Sequence, residues 1–280
     1  MSEPIYIDTH SHLHFPSFAS DVDAVYSRMQ NAGVWTVCVG TSAHTSRSGI
    51  EFAEKHEGVF ASVGYHPEHL TSSYHDASEG EVEKFDSMEI ERIASSSKKV
   101  VAIGETGLDF FRIDTDRDII IARKMQEDAF RLHIDIARRL GKPVIIHCRE
   151  ALIRLAEIIR EEKEKKDFSA VVHCFTGNWE EAKPLLEMGV FLSFTGIITY
   201  PLKKTQNPAD AIWRVIERMP LNQMLIETDA PWLAPIPFRG TSNEPTYVQY
   251  VAEKIAELRN MHSAEIARIT TENARTFFTI

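Results

Sequence analysis

Residues 144–173 read VIIHCREALIRLAEIIREEKEKKDFSAVVH, and the fold follows from how this stretch is parsed. Residues 144–147 and 170–173 are short apolar runs rich in β-branched side chains, while 151–165 repeats its apolar residues at helical spacing. Continuous apolar runs bounded by turn residues fit strands covered on both faces. The order therefore predicts two parallel strands joined by a crossover helix. Both strands end in histidine, His147 and His173.

The same unit recurs outward in both directions. Runs at 5–10, 34–40, 59–66, 100–105, 190–195 and 224–229 bring the expected strands to eight. Helical periodicity occupies 22–31, 46–56, 81–95, 118–140, 180–188 and 209–219 between them, with 245–259 and 264–277 after the last strand. Strict alternation favours a parallel sheet, and eight repeats favour closure over an open sheet. The expected fold is an α/β protein of the (β/α)8 TIM-barrel type, a single domain over residues 1–280, a length such barrels ordinarily use. No GxGxxG follows the first strand, which argues against a dinucleotide-binding sheet. Longer loops at 67–80 and 234–245 follow strands three and eight, on the face where barrels bind substrates.

Lys and Arg total 31 against 41 Asp and Glu, a net charge of −10, which disfavours wrapping of duplex nucleic acid. A local positive site remains open, because bound divalent cations dominate the charge around them. The three cysteines, Cys38, Cys148 and Cys174, lack CxxC spacing, so neither a disulfide framework nor structural zinc is expected. No basic segment leads into an apolar one at the N-terminus, and no long apolar run occurs. These features predict a cytoplasmic protein with no membrane association and no evident stable protein partner.

The chemistry is placed by position: residues able to bind metal fall at the ends of the expected strands, where barrel enzymes build active sites. Strand one ends Asp8-Thr9-His10-Ser11-His12, and residues two apart in an extended chain point the same way. Glu105, His147, His173 and Asp229 end strands four, five, six and eight. A lone histidine is more often a hydrogen-bonded core residue than a ligand. Coincidence at five strand ends is harder to sustain. Six donors exceed the need of one tetrahedral zinc and suit two divalent cations, Mg, Mn or Zn. His10, His12 and Asp229 are assigned to one, His147 and His173 to the other, with Glu105 as bridge. Asp8 is expected to accept a ring N–H from a ligand imidazole. Cys148 and Cys174 are expected to point away and pack as small apolar groups.

His66 at the end of strand three, Arg149 two residues past His147, and Arg239 in the last long loop are candidates for meeting an anionic oxygen. A surface ion pair is the plain alternative for Arg149. Loop-fixing hydrogen bonds are the alternative for Arg239, Asn243 and Glu244. Trp232, Tyr65, Phe175 and Phe110 near strand ends are candidates for stacking a base, with core packing as the alternative.

Seven segments in order resemble the TatD family of metal-dependent nucleases among the amidohydrolase-like barrels. They are Asp-Thr-His-Ser-His-Leu at 8–13, Val-Gly-Tyr-His-Pro at 63–67, Ile-Gly-Glu-Thr-Gly-Leu-Asp at 103–109, His-Cys-Arg at 147–149, His-Cys-Phe-Thr-Gly at 173–177, Glu-Thr-Asp-Ala-Pro-Trp-Leu at 227–233 and Arg-Gly-Thr-Ser-Asn-Glu-Pro at 239–245. The resemblance implies a divalent-metal DNase, commonly a 3′ to 5′ exonuclease preferring single strands, and its ligand pattern agrees with the assignment above. His14 departs from it, since many members carry Asp there.

The reaction expected is metal-assisted hydrolysis of a phosphodiester in single-stranded DNA, with RNA also admissible. Asp229, Glu105 and His66 would be catalytic, and His66, Arg149 and Arg239 would hold substrate. Two other readings stay open: a metallohydrolase of esters or amides, such as an aminoacyl-tRNA deacylase, on the same barrel; and a metal-binding scaffold without catalysis.

Overall fold

The computed structural model describes residues 3–71, 84–114, 118–202 and 211–280. Residues 72–80 of the expected loop, 81–83 of the expected third helix and 209–210 of the seventh lie outside the described residues.

Eight strands form one sheet in chain order: β1 (Tyr6–Ser11), β2 (Val34–Val39), β3 (Val59–Val63), β4 (Val100–Asp109), β5 (Val144–Arg149), β6 (Ala170–Val172), β7 (Phe191–Phe194) and β8 (Met224–Ile226). The helices are α1 (Val22–Asn31), α2 (Ala43–Lys55), α3 (Glu68–Thr71), α4 (Ser87–Ala94), α5 (Ile119–Leu140), α6 (Leu152–Lys165), α7 (Trp179–Glu187), α8 (Ile212–Arg218), α9 (Val248–Arg259) and α10 (Ser263–Phe278). This is the expected (β/α)8 TIM-type fold. The printed strand pairings β3–β4, β4–β5, β5–β6 and β7–β8 are all parallel, and Ser11 bridges Ala230 in the same sense. None of the helices among the described residues is long and apolar enough to cross a membrane.

Helix ends follow local polar chemistry. The Ser42 hydroxyl accepts from the Thr45 N–H in a capping box that starts α2, and Asn178 and Glu181 do the same for α7. Asp118 accepts from the N–H groups of Ile120 and Ile121 to start α5, and Gly141 in the left-handed region ends that helix. Each satisfies backbone groups the helix itself leaves over.

Packing divides the chain into two compact units, Met1–Leu13 with Phe18–Val37 and Cys174–Ile280, and His14–Ser17 with Cys38–His173. The first buries Ile7, Leu192, Phe194, Leu225 and Ile226 beneath α9 and α10 residues such as Val251, Ile255 and Ile266. The second buries Val63, Ile103, Leu108, Ile145 and Ile146 together with Phe130 and Ile134 of α5.

The boundaries correct the expected strand ends, His147 included, since β5 runs on to Arg149. Glu105 is not the last residue of its strand: β4 continues to Asp109, pairing Gly107 with His147 and Asp109 with Arg149. The register slips between Ile103 and Thr106, a bulge of the kind that re-aims a side chain, and Glu105 sits in it. Its N–H is held by the Gly40 carbonyl at 2.9 Å. Gly107, at φ +139°, lies so close to β5 that a Cβ there would stand 2.1 Å from the His147 carbonyl oxygen. Elsewhere strands stop short, and His66, His173 and Asp229 follow the ends of β3, β6 and β8 rather than completing them.

On the outside, Glu162 of α6 is buried at its side chain and accepts from Arg138 at 3.0 Å, from Lys165 at 2.8 Å and from Arg131. Burial works against its charge, but these donors outweigh it and hold the carboxyl down to about 2 from an ordinary 4.5. A depressed carboxylate contributes stability that is present above the unfolded value and lost as pH falls through the folded one. Urea titrations of Glu162→Gln and the unaltered chain are therefore expected to differ by about 1–2 kcal/mol at pH 7, the exposed Lys165 discounting the figure. The two curves should converge between pH 4.5 and about 2. Equal stability at pH 7 would show that α5 and α6 do not depend on this carboxylate.

Candidate metal centre

In the first unit a donor cluster forms where β1 runs beside β8. The Nε2 atoms of His10 and His12 stand 3.2 Å apart, and each lies 3.6 Å from Asp229 Oδ1. Backbone pairing fixes this triangle: the Asp229 N–H donates to the His10 carbonyl at 2.9 Å, and the His12 N–H donates to the Ala230 carbonyl at 2.8 Å. Asp229 itself is held at φ 59°, a conformation Asp tolerates better than most residues.

Asp8 has a different task from the one expected. Its carboxylate accepts from the Thr228 N–H at 2.8 Å, the Thr228 hydroxyl at 2.6 Å and the His10 N–H at 3.3 Å, so it braces the backbone carrying both His10 and Asp229. Complete burial pushes its pKa well above the usual carboxylate range, against the hydrogen bonds from Thr228. Glu227, also buried, accepts from the Cys174 N–H at 2.6 Å. The loop after β8 is fixed by Asn243, whose amide donates to the carbonyls of Thr228 and Trp232, while Glu244 is bridged by Arg28 at 2.6 Å. The loop-fixing reading of Asn243 and Glu244 accounts for both. Trp232 meets the His12 ring edge-on at 5.2 Å, and the exposed Arg239 lies over the Tyr200 ring at 4.3 Å.

In the second unit the donors gather on Glu105. Its Oε1 stands 2.8 Å from His173 Nε2, 3.0 Å from His147 Nδ1 and 3.4 Å from His66 Nε2. His173 Nε2 and His147 Nδ1 are 3.4 Å apart. His66 Nδ1 accepts from the Glu68 N–H at 3.3 Å, so the neutral ring carries its proton on Nε2, toward Glu105. Burial and the neighbouring His147 outweigh Glu105 and hold the His66 pKa below its ordinary value, keeping it neutral.

The sequence reading passed over Asp109. Its Oδ2 accepts from His147 Nε2 at 3.1 Å, while Oδ1 accepts from the N–H groups of Phe111 and Arg112 at 2.9 and 2.8 Å. Burial opposes its charge, yet the hydrogen bonds from His147 and Arg112 hold its carboxyl below the usual range. With the Nε2 N–H donating to Asp109, the Nδ1 lone pair of His147 faces Glu105 and can serve as a ligand. The signal existed in part: Gly107 and Asp109 stand two apart on one strand face, with Gly107 paired to His147.

Arg149 ends β5 exposed, its guanidinium 3.8 Å from the centre of the Phe111 ring. The ion pair weighed for it is not found among the described residues. Tyr65 and Phe175 are buried in the core, where packing leaves no face for a base. His14 packs edge-on to Phe15 at 4.8 Å. Cys38 is buried, and the Cys174 sulfur lies 3.7 Å from the Thr195 hydroxyl.

The donor sets fit divalent cations. Ligand atoms about 2.0–2.2 Å from a tetrahedral ion stand roughly 3.3–3.6 Å from one another, the spacing of the His10, His12 and Asp229 atoms. Neutral imidazoles with carboxylate oxygens are borderline ligands that accept zinc or manganese. The second cluster offers Glu105 Oε1, His147 Nδ1 and His173 Nε2 within 3.4 Å of one another, while the His66 Nε2 proton faces the same carboxylate.

Comparison with known proteins bears on the same residues. The family model described as TatD related DNase matches residues 7–279. The chain belongs to the TatD family. It is 37% identical to the uncharacterized metal-dependent hydrolase YabD of Bacillus subtilis, over 98% of both chains. It is 34% identical to a protein of Pantoea ananatis named 3′-5′ ssDNA/RNA exonuclease TatD, over 93% of this chain and 94% of that one. Among solved structures, the TatD homolog YJJV of Escherichia coli superposes with a TM-score of 0.83 at 30% identity, covering 99% of this chain and 98% of that one. As a TatD family member the chain is of the metal-dependent hydrolase class.

Orienting partners of metal-bound histidines typically affect metal affinity or activity by about 10–100-fold. Asp109→Asn is therefore expected to weaken zinc or manganese binding about 10- to 100-fold in isothermal titration, with the circular dichroism spectrum unchanged. Unaltered affinity would remove Asp109 from the centre.

Proposed function

We infer that this chain is a TatD-type nuclease, a single domain over residues 1–280 that hydrolyses phosphodiester bonds in single-stranded DNA or RNA from the 3′ end with two divalent cations. What carries the reading is the pair of donor clusters, each with the composition and spacing of a cation site, in a family one of whose members is named a 3′-5′ ssDNA/RNA exonuclease. Barrel enzymes build their active sites at the C-terminal ends of their strands, and this is the ground for assigning both clusters to one reaction.

In this reading His10, His12 and Asp229 hold one ion, His147 and His173 the other, and Glu105 bridges. A divalent cation held by these donors would supply Lewis-acid polarisation of a phosphoryl oxygen and a more acidic water. Asp229, fixed by its N–H to the His10 carbonyl, would orient the attacking water and accept its proton. His66, neutral and carrying its proton on Nε2, donates a hydrogen bond to the charge gathering on the phosphoryl oxygens without first giving up a proton of its own. Arg149 and Arg239 supply fixed positive charge for the phosphates; no carboxylate pairs with either among the described residues.

The test is a digest of one single strand labelled at either end, run with Mg, Mn and Zn. Mononucleotides released progressively from the 3′ end are expected, turnover should stop with chelator and resume with added cation, and Asp229→Asn should lower kcat by about 100-fold or more. Turnover confined to ester or amide substrates would replace nuclease with another hydrolase. Failure of every substrate with every metal would favour the scaffold.

A further inference from the structure

Past the end of β4 the chain turns through Phe110, Phe111 and Arg112, and the turn is built around Asp109. One carboxylate oxygen accepts the Phe111 and Arg112 N–H groups, and the other holds His147. The Asp109 backbone is itself clamped by the Gln126 side chain, which accepts its N–H and donates to its carbonyl, both at 2.9 Å. A side chain on this turn is thereby tied to a ligand imidazole through one carboxylate.

Phe111 stands 53% exposed on that turn, the one aromatic ring among the large apolar side chains exposed in the described residues. Arg149 covers one of its faces at 3.8 Å, and the adjacent Phe110 is covered by Arg123 at 4.5 Å. Neither arginine is paired with a carboxylate among the described residues. Four of their neighbours on α5 and α6, Arg131, Arg138, Arg139 and Arg154, bridge to acidic groups. In a chain of net charge −10, two unneutralised guanidiniums on two adjacent aromatic rings are a local exception. A ring with one open face beside spare guanidinium donors is the composition that binds single strands, where bases stack and phosphates pair.

We propose that Phe111 and Arg149, with Phe110 and Arg123 behind them, form a shelf for a single-stranded polynucleotide. One base stacks on the face of Phe111 that Arg149 leaves open, and the guanidiniums of Arg149 and Arg123 take adjacent phosphates. The proposal deepens the nuclease reading and rests on it: it assigns the unreacted nucleotides of the substrate to a surface that Asp109 keeps in fixed relation to His147.

The test separates binding from turnover. Anisotropy of a fluorescein-labelled phosphorothioate octathymidylate, with manganese present, is read for the unaltered protein, Phe111→Ala, Phe111→Trp and Arg149→Gln. Phe111→Ala is expected to weaken binding roughly 5- to 150-fold, the range for loss of one stacked base, and Phe111→Trp to restore it. One abasic position in the strand should abolish the difference between the unaltered protein and Phe111→Ala, which a merely structural role would not do. Arg149→Gln should lower the salt dependence of binding. In turnover of the unmodified strand, the Phe111→Ala effect should fall on KM with kcat retained. Equal affinity of the unaltered protein and Phe111→Ala, no binding at all, or a change of oligomeric state as the sole effect of the variant overturns the shelf. Binding that depends on Phe111 without any cleavage of the strand would leave the shelf standing and overturn the nuclease reading.

Discussion

Buried acidic oxygens facing buried imidazole nitrogens set the terms for the rest of this molecule. Glu105, Asp8 and Asp109 are withdrawn from water, and a carboxylate in such surroundings costs several kcal/mol unless opposite charge or several donors meet it. Each is met differently. Asp8 is satisfied by a threonine and a backbone amide, Asp109 by a histidine and two amides, and Glu105 faces three imidazole nitrogens. Imidazoles are weak positive partners at neutral pH, so Glu105 is the acidic group here whose surroundings most call for a cation.

That demand explains why irregular backbone is concentrated beside it. A bulge turns Glu105 out of register, Asp229 adopts a left-handed conformation, and so does Cys174 directly after His173. Regular parallel strands would present alternate side chains to opposite faces, and they place ligands only where the period of two allows. The departures bring donors into range that the period alone would not. They persist because strong local hydrogen bonds, such as those of Asp8 to Thr228, hold the backbone around them.

The alternation of strands and helices was legible in the sequence because burial on both faces leaves an unbroken apolar run, and α1 falls on the expected residues. The candidate donors were legible for the same reason: a titratable residue closing such a run has no packing role. What escaped was relational. Nothing in the Leu108-Asp109 dipeptide says that the strand continues through it, since pairing with Arg149 is a tertiary fact. Asp8 reads equally well as a partner of an imidazole or of a backbone amide, and the choice depends on Thr228, 220 residues away. Nothing in the sequence sets Phe111 apart from the other aromatics, since its exposure and its arginine are tertiary facts.

Gly107 bears on how such proteins are surveyed by mutation. It carries no functional group, yet any larger residue would collide with the carbonyl of the histidine it faces, and its positive φ adds backbone strain to the collision. Saturation mutagenesis under selection would rank this position with the candidate metal donors. Intolerance there would record the closeness of two chains rather than chemistry, and a ranking by fitness alone would not tell the two apart.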